Sequence, residues 1–260
     1  MILHRIISYL RYFFSATNAH GIHSPFVYEL YTCLISKQKD YYDFKLLKQY
    51  RQSLVKNTKT VELIELGAGA VKAPQKVIVK NIYKSSCHNE RDTQLLFKLV
   101  DRFQPLYIIE LGTCLGVSSL YLAKANTKAK LYTFEGNPDY ASIARNAFQQ
   151  YKANNIQLIE GNIHTTLSPL IESLPRLDMV YIDAHHDYEP TIHFFNLCLS
   201  KSHEDTVIIF DDIHWSPAME KAWAHIKQRE EVKQTIDLYQ FGIVFLKSSQ
   251  AKEHFTLRYY

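Results

Sequence analysis

The run Leu106–Ser119, LYIIELGTCLGVSS, decides how the chain is read. Leu106–Ile109 is a short apolar run rich in β-branched residues, as a buried strand requires. Glu110 follows, then Gly112 and Gly116 in a tight turn, and Ser118 and Ser119 open a helical pattern at Leu120–Ala123. Strand, glycine turn and helix N-terminus are the parts of a nucleotide-type cofactor site. The glycines let backbone approach a ligand, and the helix start presents free N–H groups to polar or anionic atoms.

Downstream the pattern repeats. A helix around Leu95–Phe103 stops before Pro105. Strands are then predicted at 106–111, 130–135, 156–160, 179–183 and 206–210, alternating with helices at 117–124, 140–151, 166–174, 191–199 and 218–229. Strict alternation of this kind argues a parallel sheet covered by helices. Two closing strands, 232–238 and 242–246, have only a short connection between them and must form a hairpin, so one strand runs antiparallel.

Ligands of open α/β sheets bind at the carboxyl ends of the strands. These ends carry Glu110-Leu111-Gly112, then Glu135-Gly136-Asn137, Gly161-Asn162, Asp183, and Asp211-Asp212. An acid about 20 residues past the glycine turn is placed to accept hydrogen bonds from ribose hydroxyls. A single acid after a strand is ordinarily a helix N-cap, but five consecutive strand ends of suitable type point to a site.

The ELGTCLGVS run, with EGNP and FDDIHW, resembles class I S-adenosylmethionine-dependent methyltransferases over about residues 92 to 247, and O-methyltransferases of the catechol type in particular. The resemblance implies a Rossmann-like seven-stranded sheet of order 3-2-1-4-5-7-6. It places Gly112, Thr113 and Gly116 along the methionine moiety, Ser118 at its carboxylate, and Glu135, with Gly136 and Asn137, at the ribose. Asn162 would lie near adenine and Glu110 would organise the loop. It implies Asp183, Asp211 and Asp212 as ligands of a Mg²⁺ ion, with Asp183 also beside the cofactor. His186 stands where the catechol-type enzymes carry a basic lysine, and an imidazole can take the same proton near neutrality. The DxHHxY run around it also resembles sugar- and macrolide-modifying methyltransferases, and HSPF near the N-terminus combined with ELGTCLG, EGNP and FDDIHW in one chain resembles a group of bacterial methyltransferases of undetermined substrate. The implied activity is methyl transfer to an oxygen of a small molecule. Two alternatives stay open: a nicotinamide-dependent oxidoreductase, whose GxGxxG fingerprint the Gly112-x-x-x-Gly116 spacing does not match, and a cofactor-binding module without catalysis. A zinc site drawn from His185, His193, His203 and His214 is a further alternative to the oxygen-ligated ion.

The first ninety residues read as a mainly helical extension, and residues 91–260 as the cofactor-binding domain. Ile2, Ile6, Tyr9, Leu10 and Phe13 repeat at helical spacing; Ser24 and Pro25 read as N-cap and first helical residue; a third helix is expected at 41–54. These helices are expected to cover the strand ends as a lid. VELIELGAGAVKAP contains Glu65, Gly67 and Gly69 and imitates a second cofactor loop, but Pro74 falls where its helix should run.

Residues 1–100 carry 15 Lys and Arg against 7 Asp and Glu, a net +8, within a chain of +4 overall. No tight basic cluster with interleaved aromatics marks a nucleic-acid surface. Four dispersed cysteines, at 33, 87, 114 and 198, read as the reduced thiols of a cytoplasmic protein. The apolar N-terminus is interrupted by Arg5 and Arg11 and is too short for stable membrane insertion. The expected partners are a small-molecule substrate and at most a second copy of the chain.

Overall fold

The computed structural model describes residues 2–37, 39–63 and 75–259. Helices α1 (Ile2–Ser15) and α2 (Pro25–Leu30) come first, α2 continuing into a π-helical turn at Tyr31–Ile35. Next are α3 (Tyr42–Lys56), β1 (Thr60–Leu63), β2 (Gln75–Ile78), α4 (Val79–Ser86) and α5 (Glu90–Phe103). The alternating region follows: β3 (Tyr107–Leu111), α6 (Val117–Ala125), β4 (Lys130–Glu135), α7 (Pro138–Gln150), β5 (Ile156–Glu160), α8 (Ile163–Ser173), β6 (Leu177–Ile182), α9 (Tyr188–Leu199), β7 (Ser202–Asp211) and α10 (Pro217–Gln228). Strands β8 (Gln234–Asp237), β9 (Phe241–Phe245) and β10 (Glu253–Thr256) close it. The chain divides into two compact units, residues 39–170 and residues 1–38 with 171–260. The expected division at residue 90 falls inside the first of these.

In the unit of residues 39–170, β3, β4 and β5 are parallel neighbours in the order β5-β4-β3, with Glu110 level with Thr133 and Glu135 level with Glu160. Ile108, Ile109 and Leu111 are buried, as a near-continuous apolar run covered on both faces must be. A buried arginine joins four helices of this unit. Arg51 of α3 donates to the Tyr121 hydroxyl at 3.2 Å, the Tyr83 hydroxyl at 3.1 Å, the carbonyls of His88 and Asn89, and Thr93 Oγ1 at 2.5 Å. Five partners meet the five donors of a guanidinium, which offsets the cost of burying its charge.

The unit of residues 1–38 and 171–260 has a mixed sheet in the order β10-β8-β9-β7-β6. Strands β6 and β7 are parallel, β9 is antiparallel to β7 and β8, and β10 is parallel to β8. The N-terminal segment is fastened to this sheet. The Tyr12 hydroxyl donates to the Leu257 carbonyl at 2.7 Å and accepts from the Tyr259 N–H at 3.0 Å, while the Thr17 N–H donates to the Thr256 carbonyl at 2.9 Å. Ser24 caps α2 with Pro25 at its first position, and its Oγ also accepts from Gln234 Nε2 at 3.0 Å.

The mainly helical first ninety residues also contain a strand pair, β1 and β2, antiparallel with Thr60 opposite Ile78. One expectation needs correction: in place of seven strands the described residues hold eight apart from that pair, the extra one being β10. Its sequence, EHFT, is too short and too mixed to announce a strand; its pairing with β8 creates it. Residues 64–74, with Glu65, Gly67, Gly69 and Pro74 of the second glycine loop, lie outside the described residues. None of the described helices is long and apolar enough to cross a membrane.

Tyr12→Phe should leave the buried Leu257 carbonyl without its donor. The expected loss is about 1–3 kcal/mol of unfolding free energy, measured by urea denaturation. A change under roughly 0.5 kcal/mol would mean that this hydroxyl does not fasten α1.

Candidate cofactor loop and acid cluster

In the unit of residues 39–170 the glycine turn is built around Glu110, which is fully buried. Its Oε2 accepts hydrogen bonds from the Ser119 hydroxyl in the first turn of α6 and from Thr133 Oγ1 of β4 at 2.6 Å. Thr113 Oγ1 lies 2.5 Å from Thr133 Oγ1, so the loop is joined to the same cluster. The N–H groups of Gly112 and Thr113 both donate to the Phe134 carbonyl. Gly112 has φ +106 and Gly116 φ +75, which side-chain-bearing residues rarely adopt. Gly116 is also the N-cap of α6, and a Cβ there would lie 2.7 Å from Phe148 Cε1. The loop has a further anchor that sequence reasoning missed. Tyr50 of α3 donates its hydroxyl to the Leu115 carbonyl at 2.5 Å; no local pattern could have found it, since 65 residues separate the two.

Glu135 ends β4 with its carboxylate turned back on the glycine loop. Oε2 accepts from the Cys114 N–H and Oε1 from the Asn137 N–H, each at 2.7 Å. Burial raises its pKa above the usual carboxylate value and outweighs the opposing backbone N–H groups of Asn137, Cys114 and Gly136. Asn137 is buried and committed to structure. Its Oδ1 accepts from the Asp139 and Tyr140 N–H groups as the N-cap of α7, and its Nδ2 donates to the Glu62 carbonyl of β1 at 2.7 Å. Gly136 lies half-buried between them, and Ser118 is buried in the first turn of α6. Asn162 is exposed after β5, its Oδ1 accepting from the His164 N–H at 3.0 Å.

In the other unit, β6 and β7 deliver the remaining acids. Asp183 accepts from the Tyr181 hydroxyl at 3.2 Å. His186 stands between two carboxylates, with Nε2 3.4 Å from Asp183 Oδ1 and Nδ1 3.9 Å from Asp212 Oδ2. Asp211, buried, and Asp212 both accept from Gln240 Nε2, at 2.9 and 2.7 Å. Gln240 lies in the β8–β9 turn, 28 residues from Asp212, and nothing in the sequence signalled it. His185, His186 and Asp212 have φ of +64, +32 and +53. Three side-chain-bearing residues in the left-handed region at adjacent strand ends store strain of the kind that gathers at functional sites.

Helix capping does not account for these acids. Helix α9 is capped by Asp187 and α10 by Ser216. One atom each from His186, Asp211 and Asp212 can come within 4.8 Å of the others, a set of one nitrogen and two oxygens able to hold a divalent ion. Sequence reasoning grouped Asp183 with the two later acids; Asp183 and Asp211 also offer oxygens within 4.8 Å of each other, and His186 joins Asp211 and Asp212. The other histidines have separate partners: His203 Nε2 is 2.9 Å from Asp178 Oδ1, and His214 lies between Glu220 and Asp237 at 3.1 and 2.8 Å. Tyr188 and Trp215, which follow the acids in sequence, have packing roles. The Tyr188 hydroxyl is 2.8 Å from His225 Nδ1, and the Arg5 guanidinium lies 4.3 Å from the Trp215 ring centre.

Gly116→Ala tests the loop. Forcing a methyl group against Phe148 at a positive φ should cost about 1–3 kcal/mol, read from the denaturation midpoint; an unchanged midpoint would show that α6 can begin elsewhere.

Comparison with known proteins bears on the same segment. Residues 109–213 match the profile of a family described as a methyltransferase domain. A catechol O-methyltransferase from Niastella koreensis is 32% identical over 123 residues, 46% of this chain and 53% of that protein. The chain thus spans about half the length of that curated relative. An O-methyltransferase from Bacillus cereus in complex with SAH superposes with a TM-score of 0.58 at 17% identity, covering 80% of this chain and 92% of that one. The O-methyltransferase TomG from Streptomyces achromogenes, in complex with SAM, gives 0.54 at 20% identity over 63% and 82%. Residues 109–213 are therefore similar in sequence to a methyltransferase domain, and the chain shares an α/β fold with these O-methyltransferases.

Proposed function

We propose that this chain is an S-adenosylmethionine-dependent methyltransferase that methylates an oxygen of a small molecule. The observation that carries the reading is the extent of the family match. Residues 109–213 run from the glycine turn through every acid-bearing strand end to Asp211 and Asp212. In this reading Gly112, Thr113 and Gly116 let backbone lie along the methionine moiety, and Ser118 faces its carboxylate. Glu135, already oriented by the Cys114 and Asn137 N–H groups, accepts from the ribose hydroxyls. Asn162 stands at the adenine. Gly136 and Asn137 act by shaping the backbone that holds Glu135.

On the acceptor side His186 takes the proton of the substrate hydroxyl, and the Asp183 carboxylate at 3.4 Å stabilises the imidazolium that forms. The oxygen attacks the methyl carbon in line with the departing sulfur. The products are a methyl ether, S-adenosylhomocysteine and the proton on His186. Positioning supplies much of the rate in such a displacement. Asp211 and Asp212, with Asp183 as the further oxygen ligand that the resemblance implies, are the donors that would hold a divalent ion, which leaves His186 as the base. A bound ion, Mg²⁺ in that resemblance, would acidify and orient the substrate hydroxyl. The mainly helical first ninety residues, outside the 91–260 domain, are where we place acceptor specificity. We place the protein in the cytoplasm, without a nucleic-acid partner.

Calorimetry should show S-adenosylmethionine binding at about micromolar affinity, roughly −8 kcal/mol, and no heat from NAD(H). Glu135→Ala should weaken binding by about 1.5–3 kcal/mol, the scale of charge-assisted hydrogen bonds. Heat from NAD(H) alone would overturn the reading. For the ion, Asp211→Asn should lower bound Mg²⁺ or Mn²⁺, measured by elemental analysis after equilibrium dialysis, while cofactor affinity stays within a few-fold. Equal metal content in the Asp211→Asn, Asp212→Asn double variant would leave a metal-independent enzyme.

A further inference from the structure

Helix α1 is mounted the wrong way round for a core helix. An amphipathic helix in a globule turns its apolar stripe inward. Here the inward residues are polar: Ser8 and Tyr12 are the buried ones. The Ser8 hydroxyl donates to Glu220 Oε1 and lies 3.2 Å from His214 Nδ1, and His4 Nε2 lies 3.8 Å from Glu220. The outward face carries Ile2 and Leu3, 79% and 70% exposed, then Ile6, Ile7, Tyr9, Leu10 and Phe13, and Phe14 at 81%. At about 100° per residue these eight side chains fall within an arc of roughly 160°. Such a contiguous patch exceeds what an ordinary soluble surface shows and marks an interaction site. Beside it runs an open groove of about 360 Å³ lined by Ile2, Arg5, Ile6, Tyr9, Leu10 and Tyr239.

We propose that this face docks the protein on an anionic lipid bilayer. The charges choose the occupant. Helix α1 contains no Asp or Glu, and its two arginines, Arg5 and Arg11, fall on opposite edges of the apolar arc, each about 40° beyond it. A second copy packed symmetrically on this face would set Arg5 and Arg11 against their own counterparts, with no carboxylate on either helix to meet them. A bilayer matches both features, because hydrocarbon receives the Ile, Leu and Phe side chains while phosphates meet the arginines at headgroup level. Tyr9 lies on the apolar face, and the half-buried Trp215 under Arg5 stands at its edge; such aromatic side chains favour the interfacial layer. The helix is 14 residues long, so it lies in the interface and does not span it. This inference is independent of methyl transfer.

The test is co-sedimentation of the full chain with vesicles of phosphatidylcholine, with and without phosphatidylglycerol. The expected result is binding to the anionic vesicles at least tenfold tighter than to the neutral ones, weakened by added salt. The Ile6→Glu, Phe14→Glu double variant, whose side chains are already exposed, should lose at least tenfold in affinity while keeping its circular dichroism melt. Arg11→Glu should lose several-fold and flatten the salt dependence. Absence of vesicle binding at low salt would overturn the proposal. So would equal binding by the double variant, or a dimer in sedimentation velocity that the same variant dissolves without any vesicle binding.

Discussion

The glycine turn depends on one buried carboxyl group. Glu110 has no access to water, so its oxygens need hydrogen-bond donors from the protein, and a missing donor would cost far more than an ordinary surface contact. Ser119, Thr133 and, through Thr133, Thr113 meet at this group. Helix α6, strand β4 and the loop thereby share one polar centre. Its position fixes where Gly116 turns the chain into α6, and the contact with Phe148 leaves that turn little room to shift. The loop is preorganised before any ligand arrives, so binding need not repay the ordering of these residues.

The acid cluster in the other unit solves a different problem. Neighbouring carboxylates disfavour one another's ionisation, and Asp211 is almost without solvent. The protein interposes a neutral donor, Gln240, between Asp211 and Asp212, and an imidazole between Asp212 and Asp183. Left-handed backbone at His185, His186 and Asp212 turns these side chains together at a local conformational cost. A strand that simply ended would need no such strain.

Periodicity made most of this legible. Apolar runs of strand length separated by amphipathic helices placed every element from α5 to β9 to within a few residues, because local pattern and tertiary environment agree there. Ser24-Pro25 announced α2 for the same reason. What stayed hidden is created by pairing over distance. The strands β1, β2 and β10 lack a pattern of their own, and Gln240 and Tyr50 are ordinary residues until the fold brings them to a carboxylate and a carbonyl. Asn137, which its strand-end motif suggested as a cofactor residue, has its side chain engaged in capping α7 and holding β1. The resemblance grouped Asp183, Asp211 and Asp212 and set His186 beside them as a base; the fold adds that His186 lies between Asp183 and Asp212.

The unit that holds α1 is discontinuous in sequence, and this has a consequence for synthesis. The polar side of α1 finds its partners, Glu220 and the Leu257 carbonyl, 212 and 245 residues later. At about 5–20 residues per second the ribosome needs roughly 10–50 s to deliver them. For that interval the α1 segment lacks the partners of its polar side and is too short to be stable as a helix by itself, while the intervening unit of residues 39–170 has already been synthesised whole. The N-terminal helix must therefore be among the last parts to reach its native place.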